Sequence, residues 1–228
     1  VCAVLAGGGG ALESRRATVK MPESESSINL PPQAPIMVLP HATLFPHVLL
    51  PLYIFEPRYR AMLAWALEHH RMFCIALMKP GITEALSPDD FHQFAGIGLI
   101  RACVGNEDGT SHLILQGLER VEFTEFVQAT PFRMARLRAV PSAPATEEEG
   151  EVLSAQVLEF CAHYRAMGAQ IPETLDQQLA QVNDPAVLCD IVTHTFVRDP
   201  FRRQTVLETG DVAARLRALI KHLGEEML

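Results

Sequence analysis

An α+β fold is predicted for this chain: a small, twisted, partly closed sheet with one inserted helix, followed by a bundle of helices. Three observations predict it. Over residues 35–140 apolar side chains alternate or run in short blocks, the pattern of strands. Beyond residue 150 the apolar period changes to that of a helix. Between the two, residues 141–150 combine Pro, Ser and Ala with three consecutive glutamates, which is a linker composition. The expected division is a leader or extension without fixed structure at 1–30, a sheet domain at 31–145 and a helical subdomain at 146–228.

In the first part, residues 36–39 and 48–55 are short apolar runs punctuated by Pro40, Pro46 and Pro51. Proline removes a ladder donor, so these strands are expected at an edge or a bend. A helix follows over 57–70, where Tyr59, Met62, Leu63, Ala66 and Leu67 fall on one face. Pro57 suits its first position, Glu56 its positive end, and His69, His70 and Arg71 its negative end. Residues 72–78 are continuously apolar and end at Lys79-Pro80-Gly81, so they read as a strand buried on both faces. Strands over 94–104 and 111–117 flank the turn-rich loop 105–110 as a hairpin. Val121, Phe123 and Val127 mark a further strand, and residues 132–140 another, carrying Arg133, Arg136 and Arg138.

In the second part, Leu153, Val157, Phe160, Tyr164 and Met167 form a helical stripe that ends at Gly168, a suitable C-cap. Leu175, Leu179 and Val182 belong to a second short helix. Asp184-Pro185 and Asp199-Pro200 each place a capping carboxylate before an N1 proline, and Asp211 caps the last helix. The stripes must bury against one another and against the sheet.

Composition limits function. A chain of 228 residues with 48% hydrophobic and 20% charged residues is that of a globular protein with room for one domain or two small ones. The net charge of -8 argues against a general field for nucleic acid, and the acidity is uneven. Residues 1–145 hold 13 acidic against 12 basic side chains, residues 146–228 hold 14 against 7. Five scattered cysteines without a CxxC read as reduced thiols, and no apolar run is long enough to span a bilayer, so a cytoplasmic setting is expected.

Chemical motifs are sparse. Gly7–Gly10 is not followed by Lys-Ser/Thr, and GxSxG and HExxH are missing, so neither a cofactor nor a metal is expected. The Cys161/His163 and His69/His70 pairs sit at spacings that point apart on a helix. Cys74 and Cys103, the candidates for a hidden nucleophile, lie in apolar strands and read as inert. Glu56 and Arg58 flank Pro57 at a strand-to-helix junction, where they either present a charge pair to a ligand or serve the helix end and each other. Arg133, Arg136 and Arg138 form either an anion-binding strip or a solvated edge, with Glu119, Glu122 and Glu125 as local partners.

Residues 36–40 (IMVLP), Leu44-Phe45-Pro46, residues 49–52 (LLPL) and residues 54–59 (IFEPRY) resemble the opening of the Lon protease N-terminal, substrate-binding domain. Gly96-Ile97-Gly98 and the Gly117 to Val121 segment, with its Gly-x-x-Arg, are similar to later parts of it, and the likeness spans about residues 35–224. His41-Ala42-Thr43 departs from the family's pattern without disturbing register. The resemblance implies a PUA-like β-barrel followed by a helical bundle. It also implies a non-catalytic module that grips protein segments, an adaptor in proteolysis or protein quality control, with a protease or chaperone as a further partner. An extended apolar segment would bind at the proline-interrupted edge strands or in the groove between sheet and helices. Phe45, Tyr53, Phe55, Glu56, Arg58 and Tyr59 are the candidate contact residues. A PUA-like RNA binder using the arginine strip is the alternative.

Overall fold

The computed structural model describes residues 29–167, 175, 179 and 181–226. The leader expected at 1–30 and the cap expected at Gly168 therefore fall almost wholly outside the described residues. Six strands, β1 (Gln33–Leu39), β2 (Leu49–Ile54), β3 (Met72–Leu77), β4 (Phe94–Gly105), β5 (Ser111–Gln128) and β6 (Arg133–Ala139), form one sheet in the order β2-β5-β4-β3-β1-β6. An added β5–β6 pairing returns the ladder on itself. Helix α1 (Pro57–Glu68) is inserted between β2 and β3, and α2 (Glu147–Ala166), α3 (Pro185–Phe196), α4 (Pro200–Glu208) and α5 (Val212–Glu226) follow the sheet. This is the expected mixed α+β architecture.

Three expectations need correction. β1 lies inside the sheet, paired in parallel with β3 and antiparallel with β6. It tolerates Pro35 because pairing with β3 begins only at Ile36, so one side of the chain is idle at the proline. Residues 111–117 and 121–127 are not two strands but the single 18-residue β5. Register shifts against β4 and β6 leave Leu118, Thr124 and Val127 of β5 as extra residues, and these bulges break the alternation that a continuous strand shows in sequence. The linker is also shorter than expected. Thr146 accepts from the Glu149 N–H at 3.4 Å and Glu147, Glu148 and Glu149 occupy the first turn of α2, where carboxylates favour the positive helix end.

The apolar alternation of β1 and β3 divides the core. Ile36, Val38, Cys74 and Ala76 face one cluster with Phe91, Ile97 and Phe123, whereas Met37, Phe73 and Ile75 face the other with Tyr59, Met62, Leu63 and Ala66 of α1. The stripe expected on α1 is thus its buried face. A third cluster joins α2 to α5 through Val157, Leu188, Val192, Leu216 and Leu219, and it includes Phe45 from the β1–β2 loop. Leu179 is buried there, with Leu175 and Val182 half-buried beside it; most of the short helix expected around them lies outside the described residues. The three capping aspartates behave as expected: Asp184 accepts from Ala186 N–H at 2.7 Å, Asp199 from Phe201 N–H at 2.8 Å and Asp211 from Ala214 N–H at 2.7 Å. No helix among the described residues is long and apolar enough to cross a membrane.

Leu44 and Phe45 explain two glycines. This loop crosses β4 and β5 so closely that a Cβ on Gly96 would overlap the Leu44 carbonyl oxygen, and one on Gly117 the Phe45 carbonyl oxygen. A Cβ on Gly98 would instead press on the Leu115 and Leu44 side chains. Backbone can lie on backbone here only because no side chain intervenes.

Candidate functional site

β2 is an edge strand, bonded to β5 alone among the described residues. The Gly117 N–H donates to the Val48 carbonyl at 2.8 Å, which sets the phase of the ladder. Leu50, Leu52 and Ile54 turn their main-chain groups toward β5, and Leu49, Pro51 and Tyr53 turn theirs outward. Pro51 thus occupies a position where a missing N–H costs no bond within the sheet.

The same strand exposes its apolar side chains. Leu49 is 57% exposed, Tyr53 49% and Phe55, just beyond the strand, 58%. Tyr53 is in register with His112 of β5, and His112 with Val104 of β4, which is 65% exposed. Residues in register share a face, so Tyr53, His112 and Val104 form one row across three strands. The Tyr53 ring stacks on His112 at 4.7 Å and on Phe55 at 5.8 Å between centroids. The result is an apolar, partly aromatic sheet face beside an unpaired strand edge, the arrangement that accepts an extended chain.

Of the six candidate residues, the structure brings four to this corner. Tyr53 and Phe55 are on the exposed face, and Glu56 and Arg58 follow at the turn into α1. Glu56 occupies the N-cap position of α1, yet its carboxylate caps nothing. It accepts from Arg58 Nε at 2.8 Å and Nη2 at 2.7 Å, while the guanidinium lies 4.9 Å over the Tyr59 ring. The other two candidates are interior. Phe45 is fully buried in the helical cluster and Tyr59 is buried, its hydroxyl donating to the Val38 carbonyl at 2.9 Å. Phe45 has no surface to offer a partner, and Tyr59 has little. Leu49, Val104 and His112 were missed by the sequence reading. The signal in β2 was the period of two linking Leu49, Pro51, Tyr53 and Phe55; nothing in the sequence announced the pairing that adds His112 and Val104.

The crevice expected between sheet and helices is occupied among the described residues by buried and half-buried groups. Arg120 of β5 donates to Asp190 of α3 and, through Nε, to the Leu207 carbonyl at 3.2 Å. Arg215 of α5, fully buried, approaches the same carboxylate at 3.6 Å and donates to Ser142 Oγ at 2.8 Å. Gln204 of α4 donates to the Phe94 carbonyl at 2.8 Å and to Glu208 at 2.9 Å, and Glu208 also meets His92 Nδ1 at 2.9 Å. These groups tie the helices to the sheet.

Other chemistry finds little support. Burial pushes the Cys161 thiol up to about 11 and the Cys189 thiol up to about 12, and raises Cys74 also, which keeps them protonated and poorly nucleophilic. His69 stacks on Trp65 and its Nδ1 lies 2.7 Å from the Trp65 carbonyl, a helix-end role. No cluster of three metal-ligating side chains occurs among the described residues. Arg136 pairs with Glu125 at 2.8 Å and Arg138 with Glu122, so two members of the arginine strip are neutralised across β5 and β6.

Comparison with known proteins agrees with this architecture. The family model of the ATP-dependent protease La (LON) substrate-binding domain matches residues 33–225. Lon protease of Desulfosudis oleivorans is 24% identical over 212 residues, covering 91% of this chain and 26% of that protein. Lon protease of Escherichia coli K12 is 23% identical over 195 residues, covering 86% and 25% respectively. The chain thus spans about a quarter of the length of these curated relatives. Among solved structures, the N-terminal domain of the Mycobacterium avium complex Lon protease aligns with a TM-score of 0.69 at 19% identity, covering 85% of this chain and 98% of that one. A Lon N-terminal domain protein from Xanthomonas campestris aligns with a TM-score of 0.59 at 16% identity, covering 83% and 97%. At such identities the likeness is one of fold.

Proposed function

The chain belongs to the family of ATP-dependent protease La (Lon) substrate-binding domains, and from that membership we propose that it captures extended polypeptide segments on the β2-β5-β4 face without cutting them. The observation that carries the reading is the exposed apolar row Leu49, Pro51, Tyr53 and Phe55 on a strand whose outer edge has no partner among the described residues. An incoming strand can bond to the outward main-chain groups of Leu49 and Tyr53, and its alternate side chains can rest on the Tyr53 and Phe55 rings. Pro51 supplies a carbonyl but no donor there, which limits growth of the sheet by unrelated chains. In this reading the chain is an adaptor or client-binding factor in proteolysis or protein quality control, and its chemistry is recognition alone.

The test is retention of a permanently unfolded, fluorescently labelled model polypeptide by the purified chain. Capture by the wild type and at least tenfold weaker capture by the Tyr53→Ala/Phe55→Ala double variant, a loss of about 1.4 kcal/mol, are expected. Undiminished capture by that variant would remove the face from the proposal, and peptide or ATP hydrolysis by the purified chain would remove the reading itself.

A further inference from the structure

One cation near this corner is held in place without a carboxylate in ion-pair contact. Arg133 opens β6, and its strand neighbours Arg136 and Arg138 are each paired with a glutamate. Arg133 has no carboxylate within ion-pair distance among the described residues, although its charge helps to lower the pKa of the exposed Asp90 from farther away; its Nη2 donates to the Ala85 carbonyl and its guanidinium lies 5.8 Å over the Phe91 ring. A carbonyl and an aromatic face fix the orientation of a guanidinium and leave its charge and remaining donors for something else. Arg58 stands nearby. Its fork is taken by Glu56, and its Nη1 reaches Glu84 only at 3.9 Å. Arg58 lies 4.9 Å over the Tyr59 ring and Arg133 lines the same cleft as that ring; burial raises the Tyr59 phenol, and both charges pull it back.

Arg133 lines two adjoining clefts. One, of about 260 Å³, has Ile36, Arg58, Tyr59, Glu84, Pro131 and Phe132 among its walls. The other, of about 210 Å³, is lined by Pro88, Phe126, Val127 and Gln128, and Leu86 and Ala129 are common to both. Each is smaller than the roughly 300 Å³ at which small-molecule pockets begin, so each suits an amino-acid side chain better than a cofactor. The walls are mostly apolar and the centre is cationic. Because the groove continues on both sides of Arg133, the anion that meets it belongs to the middle of a chain rather than to its end.

We propose that this groove is a subsite that reads a carboxylate, taking an Asp or Glu side chain within an extended apolar segment, with Arg133 as its receptor. The inference rests on the polypeptide-binding reading above and names the class of segment: apolar, with an internal acidic residue. A guanidinium already oriented by packing forms charge-assisted hydrogen bonds at little further ordering cost.

The test uses the full chain and three labelled peptides of one apolar sequence, followed by fluorescence anisotropy. Two have amidated C-termini and differ only in a central Asp or Asn; the third is the Asn peptide with a free C-terminus. The Asp peptide is expected to bind on the order of tenfold tighter than its Asn twin. Arg133→Gln should erase that difference, bringing the Asp peptide down to the affinity of its Asn twin. Leu86→Asp, at a rim residue that is 77% exposed and therefore safe for folding, should weaken the Asp peptide selectively even if the arginine variant is unstable. Equal affinity for the Asp and Asn peptides would overturn the inference, while loss of both in the Tyr53→Ala/Phe55→Ala variant would keep the earlier reading standing. A gain seen only with the free C-terminus would overturn it in favour of terminus recognition. Failure of all three peptides to bind would overturn both.

Discussion

Arg120 and Asp190 lie 70 residues apart in the chain and meet as a buried pair, Nη1 donating to Oδ2 at 2.9 Å and Nη2 to Oδ1. The arginine belongs to β5 and the aspartate to α3, so the pair clamps the helices onto the sheet. Removing one partner leaves the other charged and desolvated. Asp190→Ala is expected to cost about 3–5 kcal/mol, read from urea unfolding. A loss below about 1 kcal/mol would show that water reaches the pair and that the clamp is not buried in solution.

Gly96 and Gly117 admit the Leu44–Phe45 backbone. Gly96→Ala or Gly117→Ala must displace main chain rather than a pliable side chain, so a destabilisation of about 1–3 kcal/mol or more is expected in thermal or urea unfolding. Gly210→Ala, where the nearest neighbour of an added methyl is 3.6 Å away, is the matched control. Equal effects at all three positions would refute the close crossing.

Burial, and secondarily the charge of Arg203, lowers the His194 pKa from 6.5 to about 4. Its Nδ1 is sequestered without a hydrogen-bond partner among the described residues. The folded state therefore resists protonation that the unfolded chain accepts. That contribution to stability is present above about pH 6.5 and is lost as pH falls toward about 4. Its size is on the order of 2 kcal/mol. His194→Leu should flatten unfolding free energy between these limits; an unchanged pH profile would mean the ring titrates normally.

Tyr53 and Phe55 contribute exposed surface and little core. The double alanine variant should shift the unfolding free energy by no more than about 1 kcal/mol while lowering the fluorescence of a bound hydrophobic dye. A large stability loss with unchanged dye binding would place these rings inside the fold.

Local rules served well where neighbouring residues decide the outcome. The helix at Pro57, the three aspartate caps and the two-faced burial of β3 follow from residues within one or two turns of each other. The candidate face was half legible: aromatic character within the proline-rich segment marked Tyr53 and Phe55, but it marked Phe45 and Tyr59 equally, and these pack inside. An aromatic ring fits a core as well as a contact surface, and only its neighbours distinguish the two.

The sequence by itself determined the helices and most strands, the division of strands from helices and the family, because periodicity, caps and the proline-rich segment at residues 49–59 are local properties. Tertiary structure alone decided that β1 is interior, that β5 is one strand, that Tyr53, His112 and Val104 share a row, and that Arg136 and Arg138 have carboxylate partners in ion-pair contact while Arg133 does not. Those outcomes depend on which distant segments pair and which side chains they bring into reach. Pairing over such separations is fixed by burial summed over the whole core, a quantity no short stretch of residues contains.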